Sequence, residues 1–152
     1  MKNIILISFL LFIYSCGYTS VYKNQKSINF QINVIEMIGD NEFNNLIKNE
    51  LRMYSNENSK NKYDISINST YQKTTISKNS AGVATDYKLS ANTTISINFY
   101  DKVKTLEFEE NINIKNKSNS FDQKVYERNI KKNFASSIRK KFIIKIFDLN
   151  DN

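Results

Sequence analysis

The sequence predicts a two-layer α+β sandwich, in which a four-stranded, mostly antiparallel sheet carries two helices on one face. Four segments alternate apolar with polar residues, which is typical of strands that bury one side. Two other segments place apolar residues every three or four positions, which indicates helices with one buried stripe. The segments follow in the order β-α-β-β-β-α, and together they fill a single domain over residues 27–148.

One strand and one helix open this domain. Apolar residues occupy every second position from Ile28 to Val34, which predicts a half-buried strand. Gly39 interrupts the pattern, and either Asp40 or Asn41 supplies a helix cap after it. The helix that follows has one apolar face, which we expect to pack inward and which consists of Phe43, Leu46, Ile47, Leu51 and Tyr54.

Three alternating strands follow and form a predicted meander. They extend over residues 63–78, 83–99 and 106–114, and turn-forming residues at 78–82 and 100–104 connect them as hairpins. Because both helices pack on one sheet face, the other face meets water. We expect that second face to consist largely of Asn, Ser, Thr and Lys, including Asn68, Thr70, Ser90, Asn92, Thr94 and Ser96.

The last helix is predicted from Phe121 onward, where the apolar period changes. Apolar residues then recur every four positions, at Tyr126, Ile130, Phe134, Ile138 and Phe142. Such a stripe drifts around the helix axis, as suits a helix that crosses a twisted sheet. Residues 142–149 fit a buried helix and a strand equally well.

The composition argues against most catalytic chemistry. The chain has no histidine, which is the commonest general base and metal ligand. One cysteine cannot form an internal disulfide or a thiolate cage, and three glycines cannot build a phosphate-binding loop. We therefore expect a protein that is not an enzyme, with no catalytic residue, no metal site and no cofactor.

The net charge of +7 has two open explanations. It can serve contacts with anions, or it can reflect the Lys-, Asn- and Ile-rich composition of proteins from AT-rich genomes. The basic residues are scattered along the chain rather than clustered, so we expect no nucleic-acid partner.

Residues 1–15 read as a signal peptide. Lys2 precedes an apolar run from Ile4 to Tyr14, which is shorter than the roughly 20 residues that a membrane-spanning helix needs. The next residues, Ile13-Tyr14-Ser15-Cys16, resemble the bacterial lipobox, and Cys16 is the only cysteine. We expect Cys16 to be acylated, since two or three acyl chains anchor a protein stably in a membrane. An uncleaved secretory peptide or a short buried helix are the alternatives.

Residues 16–26 would form a lipidated tether, and Gly17 rather than Asp after the cysteine favours the outer membrane. Three stretches then resemble one family, the lipopolysaccharide-assembly lipoproteins called LptE. CGYTSVY is similar to the CGF-x-PLY opening of its alphaproteobacterial branch, with Ser20 and Val21 in place of Pro and Leu. The other two stretches resemble the family's hairpin and closing helix, and they read ISKNSAGVATDYKLSANTTISI and SNSFDQKVYERNIKKNFASSIRKKF.

The resemblance implies a function and a set of partners. Members of this family lie at the periplasmic side of the outer membrane, where they plug a large β-barrel, LptD, and help to deliver lipopolysaccharide to the cell surface. It implies a one-to-one complex with such a barrel, contact with lipopolysaccharide, and attachment to membrane lipid through acylated Cys16. The other interpretation is a generic lipid-anchored periplasmic binding lipoprotein.

Five lysines are candidates for lipopolysaccharide contact. Lys78 matches the basic loop position of the family, Lys73 and Lys88 flank the same hairpin, and Lys115 and Lys117 lie at the joint before the last helix. For each, a solvated surface lysine is the simpler explanation. The run 139–141 could touch anionic lipid or form the solvent face of its helix, and Tyr87 is expected in the core.

Overall fold

The computed structural model describes residues 30–99 and 102–150. The elements are β1 (Gln31–Gly39), α1 (Asn41–Arg52), β2 (Lys62–Lys78), β3 (Ala84–Phe99), β4 (Lys102–Lys115) and α2 (Ser120–Asn150). The predicted order is therefore confirmed, and residues 142–149 belong to α2. The predicted signal peptide and tether, including Cys16 and the expected strand start at Ile28, lie outside the described residues.

The sheet has the strand order β1-β2-β3-β4. β1 pairs with β2 in parallel, and the other two pairs are antiparallel, as predicted. α1 supplies the crossover that a parallel pair requires. β1 begins beside the start of β2, where Gln31 pairs with Lys62, whereas the β2–β3 hairpin turns at the opposite end, where Lys78 pairs with Ala84.

The core lies between the sheet and both helices. α1 buries Phe43, Ile47 and Leu51 at or below 1% exposure, as its spacing predicts. The central strands and α2 contribute further large side chains that are almost fully buried, and these include Tyr63, Ile65, Ile67, Leu89, Ile95, Ile97, Ile138 and Phe142. The two layers thus enclose one contiguous core, and within residues 30–99 and 102–150 no helix packs on the second sheet face.

A tight corner joins β1 to α1. Gly39 has a φ of +94°, and a Cβ atom there would lie 2.0 Å from the carbonyl oxygen of Ser69. Asp40 caps the helix by accepting a 2.8 Å hydrogen bond from the backbone amide of Phe43, and its own amide donates to Ser69. Beneath this corner the buried Asn44 accepts a 2.7 Å hydrogen bond from the Ser69 hydroxyl. Only glycine fits at this corner, because the side chain of any other residue would collide with the Ser69 carbonyl.

Two strand boundaries differ from the prediction. β1 continues past Val34 to Gly39, because an irregularity between Val34 and Glu36 shifts the register and lets pairing with β2 resume. β4 begins at Lys102, so the described strand includes residues that the sequence assigns to a turn. In that connection, residues 100–101 are not described.

The apolar stripe predicted for α2 is wrong at the amino-terminal end of the helix. Ile130, Phe134, Ile138 and Phe142 are buried as predicted, but Tyr126 is 36% exposed. Gln123 is buried in its place. A four-residue repeat advances about 40° per step around a helix of 3.6 residues per turn, so it cannot keep one side against the sheet over the whole length of α2.

Candidate functional site

The helix-free side of β2, β3 and β4, here called the open face, is polar. Its residues alternate with the buried ones, and cross-strand pairs such as Asn68–Thr94 and Thr70–Asn92 lie side by side on it. Ser90 and Ser96 share this side of β3. All six residues are exposed or half-buried, so the predicted face of amides and hydroxyls is confirmed.

The open face is more acidic along its edge strand, β4, than expected. Glu109 pairs with Asn92 and Glu107 pairs with Thr94, which places two carboxylates halfway along β4, the edge strand of this face. They lie there because the alternating Leu106 and Phe108 point to the helices. The sequence predicted a face made largely of Asn, Ser, Thr and Lys, and it did not predict these two glutamates.

Most of the candidate lysines lie towards the end of the sheet where the β2–β3 hairpin turns, here called the tip end. Asn79 organises the turn, since its side-chain oxygen accepts hydrogen bonds from the amides of Ala81 and Val83 at 3.1 and 2.9 Å. The joint before α2 reaches the same end, because the backbone amide of Asn116 donates to the carbonyl of Thr85 at 2.7 Å. Stretches far apart in sequence thus meet at one place.

Lys78, Lys88 and Lys115 are exposed to solvent at the tip end. Lys78 ends β2 opposite Ala84. Lys88 lies on the open face of β3, between Thr74 of β2 and Asn113 of β4. Lys115 of β4 pairs with Asp86 of β3. Within residues 30–99 and 102–150, Lys78 and Lys88 form no ion pair, so their charge is available to an anion.

One carboxylate accompanies these lysines. Asp86 accepts hydrogen bonds from the hydroxyls of Ser77 and Thr85. These two bonds, and after them the nearby Lys115 ammonium, hold the pKa of the Asp86 carboxyl below its usual range. Asp86 therefore stays anionic at neutral pH and offsets part of the positive charge of Lys115.

Lys73 differs from the other candidates because it lies on the helix side of the sheet. Its ammonium is 2.5 Å from Oε1 of Glu127 on α2 and 3.9 Å from the ring centroid of Tyr87. Tyr87 itself packs against the core, as expected. Lys73 therefore joins the sheet to α2, and its charge is already partnered.

Lys117 has a position of its own at the joint before α2. Its ammonium rests 4.6 Å from the ring centroid of Tyr126, and its backbone amide donates a 2.9 Å hydrogen bond to Oε1 of Gln123. The ammonium can therefore reach a ligand from a fixed location on the surface.

The basic residues 139–141 do not share one surface of α2. Arg139 is 8% exposed, lies 3.2 Å from a carboxylate oxygen of Glu50, and stacks 4.4 Å from the ring centroid of Tyr54. Lys141 pairs with Glu110 at 2.6 Å. Arg139 is therefore neither solvated nor available to lipid, since α2 turns it towards α1.

Sequence reasoning missed two features of this region. Asp86 could be found only through its pairing with Lys115, which alternation alone does not supply. Phe121 and Val125 are exposed beside Lys117, and their signal is an apolar i, i+4 pair that lies off the predicted stripe.

No group of three or more His, Cys, Asp or Glu side chains is placed to hold a metal ion in the part of the chain that the structure describes. Over the same residues, neither helix combines the length and the apolar character that crossing a bilayer would require.

Fold and surface together define a small two-layer α+β protein with a polar open sheet face and a basic tip end. Solved structures of bacterial lipoproteins share this fold. Rare lipoprotein B of Shewanella oneidensis superposes with a TM-score of 0.56 at 12% identity, covering 79% of this chain and 98% of that one. No protein-family model and no curated protein matches the sequence.

Two further structures show the same likeness. A Caulobacter crescentus CB15 protein classed as a lipoprotein has a TM-score of 0.58 at 10% identity, over 80% of this chain and 92% of that one. Lipoprotein B of Nitrosomonas europaea has a TM-score of 0.57 at 9% identity, over 86% and 92%. At these identities the likeness is one of fold.

Proposed function

We propose that this chain is a lipoprotein of the outer membrane that partners a lipopolysaccharide-translocating β-barrel of the LptD type and helps to deliver lipopolysaccharide to the cell surface. It would be held on the periplasmic side by acylated Cys16, bind the barrel one-to-one, and carry out no catalysis. The observation that carries the proposal is the open face, because a sheet side of this size without apolar side chains at its centre suits a wet, polar partner.

The inner wall of a large membrane barrel is such a partner. Barrel strands alternate lipid-facing apolar residues with lumen-facing polar ones. Amides and hydroxyls such as those of Asn68, Asn92 and Thr94 can form hydrogen bonds with that wall, directly or through trapped water. Glu107 and Glu109 on the edge strand β4 add a requirement, since the wall opposite them should carry basic residues.

The tip end supports the lipopolysaccharide part of the proposal. Ammonium groups serve phosphates as point charges, and Lys78, Lys88, Lys115 and Lys117 lie at one end of the molecule. Lys78 also matches the basic loop position that the resemblance to LptE implies. Lys73 drops to a structural role, because Glu127 already partners its charge.

The anchor is supported by two independent observations. Cys16 follows an apolar run and a small residue, as in a lipobox, and solved structures with the same fold are described as lipoproteins. These two observations favour a generic lipid-anchored periplasmic lipoprotein equally well. The open face and the tip end distinguish the barrel-associated alternative.

Photo-crosslinking in cells tests the barrel partner. Crosslinkers at Asn68 and Asn92 on the open face should capture an outer-membrane β-barrel of the LptD type. A crosslinker at Lys132, an exposed residue of α2, serves as the matched control and should capture far less of it. Capture of peptidoglycan-associated proteins alone, or of nothing, would replace the barrel proposal with the generic lipoprotein.

A further inference from the structure

An exposed apolar surface lies beside the lysines of the tip end. Phe121 is 70% exposed and Val125 is 39% exposed, one helical turn apart on α2. They line a shallow hollow on the helix surface together with Lys117, Asp122, Tyr126 and Asn129. Exposed apolar side chains scattered singly need no explanation, but adjoining ones within one hollow form a surface that can hold a hydrocarbon.

A second, polar hollow adjoins the first. It is lined by Asp86, Lys115, Asn116 and Lys117, so Lys117 belongs to both hollows. The Lys117 ammonium lies 4.6 Å from the ring centroid of Tyr126, which holds the cation at the boundary between them. One side of Lys117 thus offers positive charge, and the other side offers apolar surface.

The charge of the polar hollow favours an anionic ligand. Lys115 and Lys117 line it directly, whereas Asp86 is the one carboxylate among its lining residues. Asp86 accepts hydrogen bonds from the hydroxyls of Ser77 and Thr85 and offsets part of the charge of Lys115, which leaves the two lysines in excess over the one carboxylate. An anion that enters from solvent therefore meets two ammonium groups.

We propose that the two hollows form one site for an anionic amphiphile, with its phosphate at Lys115 and Lys117 and an acyl chain on Phe121 and Val125. A single molecule must carry both chemistries, because the cationic and apolar parts meet at one side chain. This inference rests on the proposed function and deepens it, since it assigns the acyl chains of a phosphorylated glycolipid to a defined surface of α2.

Binding of lipopolysaccharide and of chemically deacylated lipopolysaccharide to the full chain carrying Cys16→Ser tests this site. The wild-type site should bind the acylated form about tenfold more tightly, as expected when an acyl chain leaves water. The acylated form should also retain more binding at high salt, because apolar contact is not screened. The double variant Phe121→Ser/Val125→Asn should lose this preference and bind the deacylated form as before.

Ile144→Asn is the matched control, since Ile144 is 60% exposed towards the other end of the same helix. Equal binding of both ligands by the wild-type site, or an equal loss in the control, would overturn the proposal. Binding to phosphatidylglycerol vesicles with the same dependence on Phe121, without binding of dispersed lipopolysaccharide, would overturn it in favour of membrane docking. Capture of the barrel through Asn68 and Asn92 is a separate readout, so failure of the acyl-chain site and failure of the proposed function remain distinguishable.

Discussion

The ammonium of Lys73 in β2 lies 2.5 Å from the carboxylate of Glu127 in α2, and this pair joins the two layers of the protein near the tip end. The Tyr87 ring completes the arrangement from below. Both charged side chains are largely shielded, at 33% and 21% exposure, so the pair is screened less than an open surface pair.

The same arrangement recurs twice along α2. Lys131 lies 2.6 Å from Glu42 of α1 and 4.4 Å from the ring centroid of Tyr71. Arg139 is likewise placed between Glu50 and an aromatic ring. A cation held between a carboxylate and a tyrosine thus fastens α2 at three levels, and Lys131 and Arg139 of this helix serve the fold.

Loss of the Lys73–Glu127 pair should lower stability modestly. Lys73→Ala removes both the ion pair and the contact with Tyr87, and we expect the free energy of unfolding to fall by about 1 kcal/mol. Urea unfolding of Lys73→Ala, Glu127→Ala and the double variant measures the coupling between the two residues. Strictly additive effects would show that the pair contributes nothing.

Reversal of charge at Lys78 should affect binding rather than stability. Lys78 is exposed and forms no ion pair with the described residues, so Lys78→Glu should shift the free energy of unfolding by less than about 0.5 kcal/mol. Binding of lipopolysaccharide should weaken, and more so at low salt. Lys132→Glu makes the same change of charge on the exposed side of α2 and should bind normally. If the affinity of Lys78→Glu is unchanged at both low and high salt, Lys78 is an ordinary solvated surface lysine.

The two glycines with positive φ should respond very differently to alanine. Gly39→Ala places a methyl group 2.0 Å from a backbone oxygen, and we expect a loss of about 4 kcal/mol or more. Gly82 has a φ of +80° but nothing within 4 Å of a built Cβ, so Gly82→Ala should cost only about 1–2 kcal/mol of backbone strain. Chemical unfolding of both variants gives the comparison, and similar losses would contradict the close approach at Gly39.

Tyr71 should make stability fall at high pH. Burial, and then the carboxylates of Glu127, Glu42 and Asp40, raise the pKa of its hydroxyl from 10.0 to about 12. The unfolded chain releases this proton first, so the contribution is complete below pH 10 and is lost between pH 10 and 12. Because the side chain is partly solvated, we expect a loss of about 1 kcal/mol. Tyr71→Phe should unfold with a shallower dependence on pH in this window, and an identical profile would contradict the shift.

Acylation of Cys16 has a direct chemical test. Labelled palmitate supplied to cells should enter the wild-type chain and not the Cys16→Ser variant, because no other cysteine is present. Equal labelling of both chains would remove the lipobox interpretation. A labelled chain that fractionates with the inner membrane would contradict the outer-membrane expectation drawn from Gly17.

The periodicity of the sequence was sufficient to predict the fold, but it could not predict contacts between residues that are far apart in the chain. Alternation placed Ile65, Leu89 and Ile97 in the core, and it also places Lys73 on the helix side. It cannot say that Glu127, 54 residues later, lies above Lys73. Tyr126 was misplaced for a related reason, since Gln123 accepts a hydrogen bond from the backbone amide of Lys117 and Glu127 pairs with Lys73, and alternation predicts neither contact.

The hairpin of β2 and β3 also sets a distance. The chain enters the sheet beside Lys62, while Lys78 lies at the far end of the same strand of 17 residues. At about 3.3 Å per residue, the two ends are separated by roughly 50 Å. The hydrocarbon layer of a bilayer is only about 30 Å thick. A protein anchored at its amino-terminal end can therefore hold the lysines of its tip end farther from the anchor than the hydrocarbon layer is thick. The paired strands β2 and β3 are the rigid spacer between the two ends.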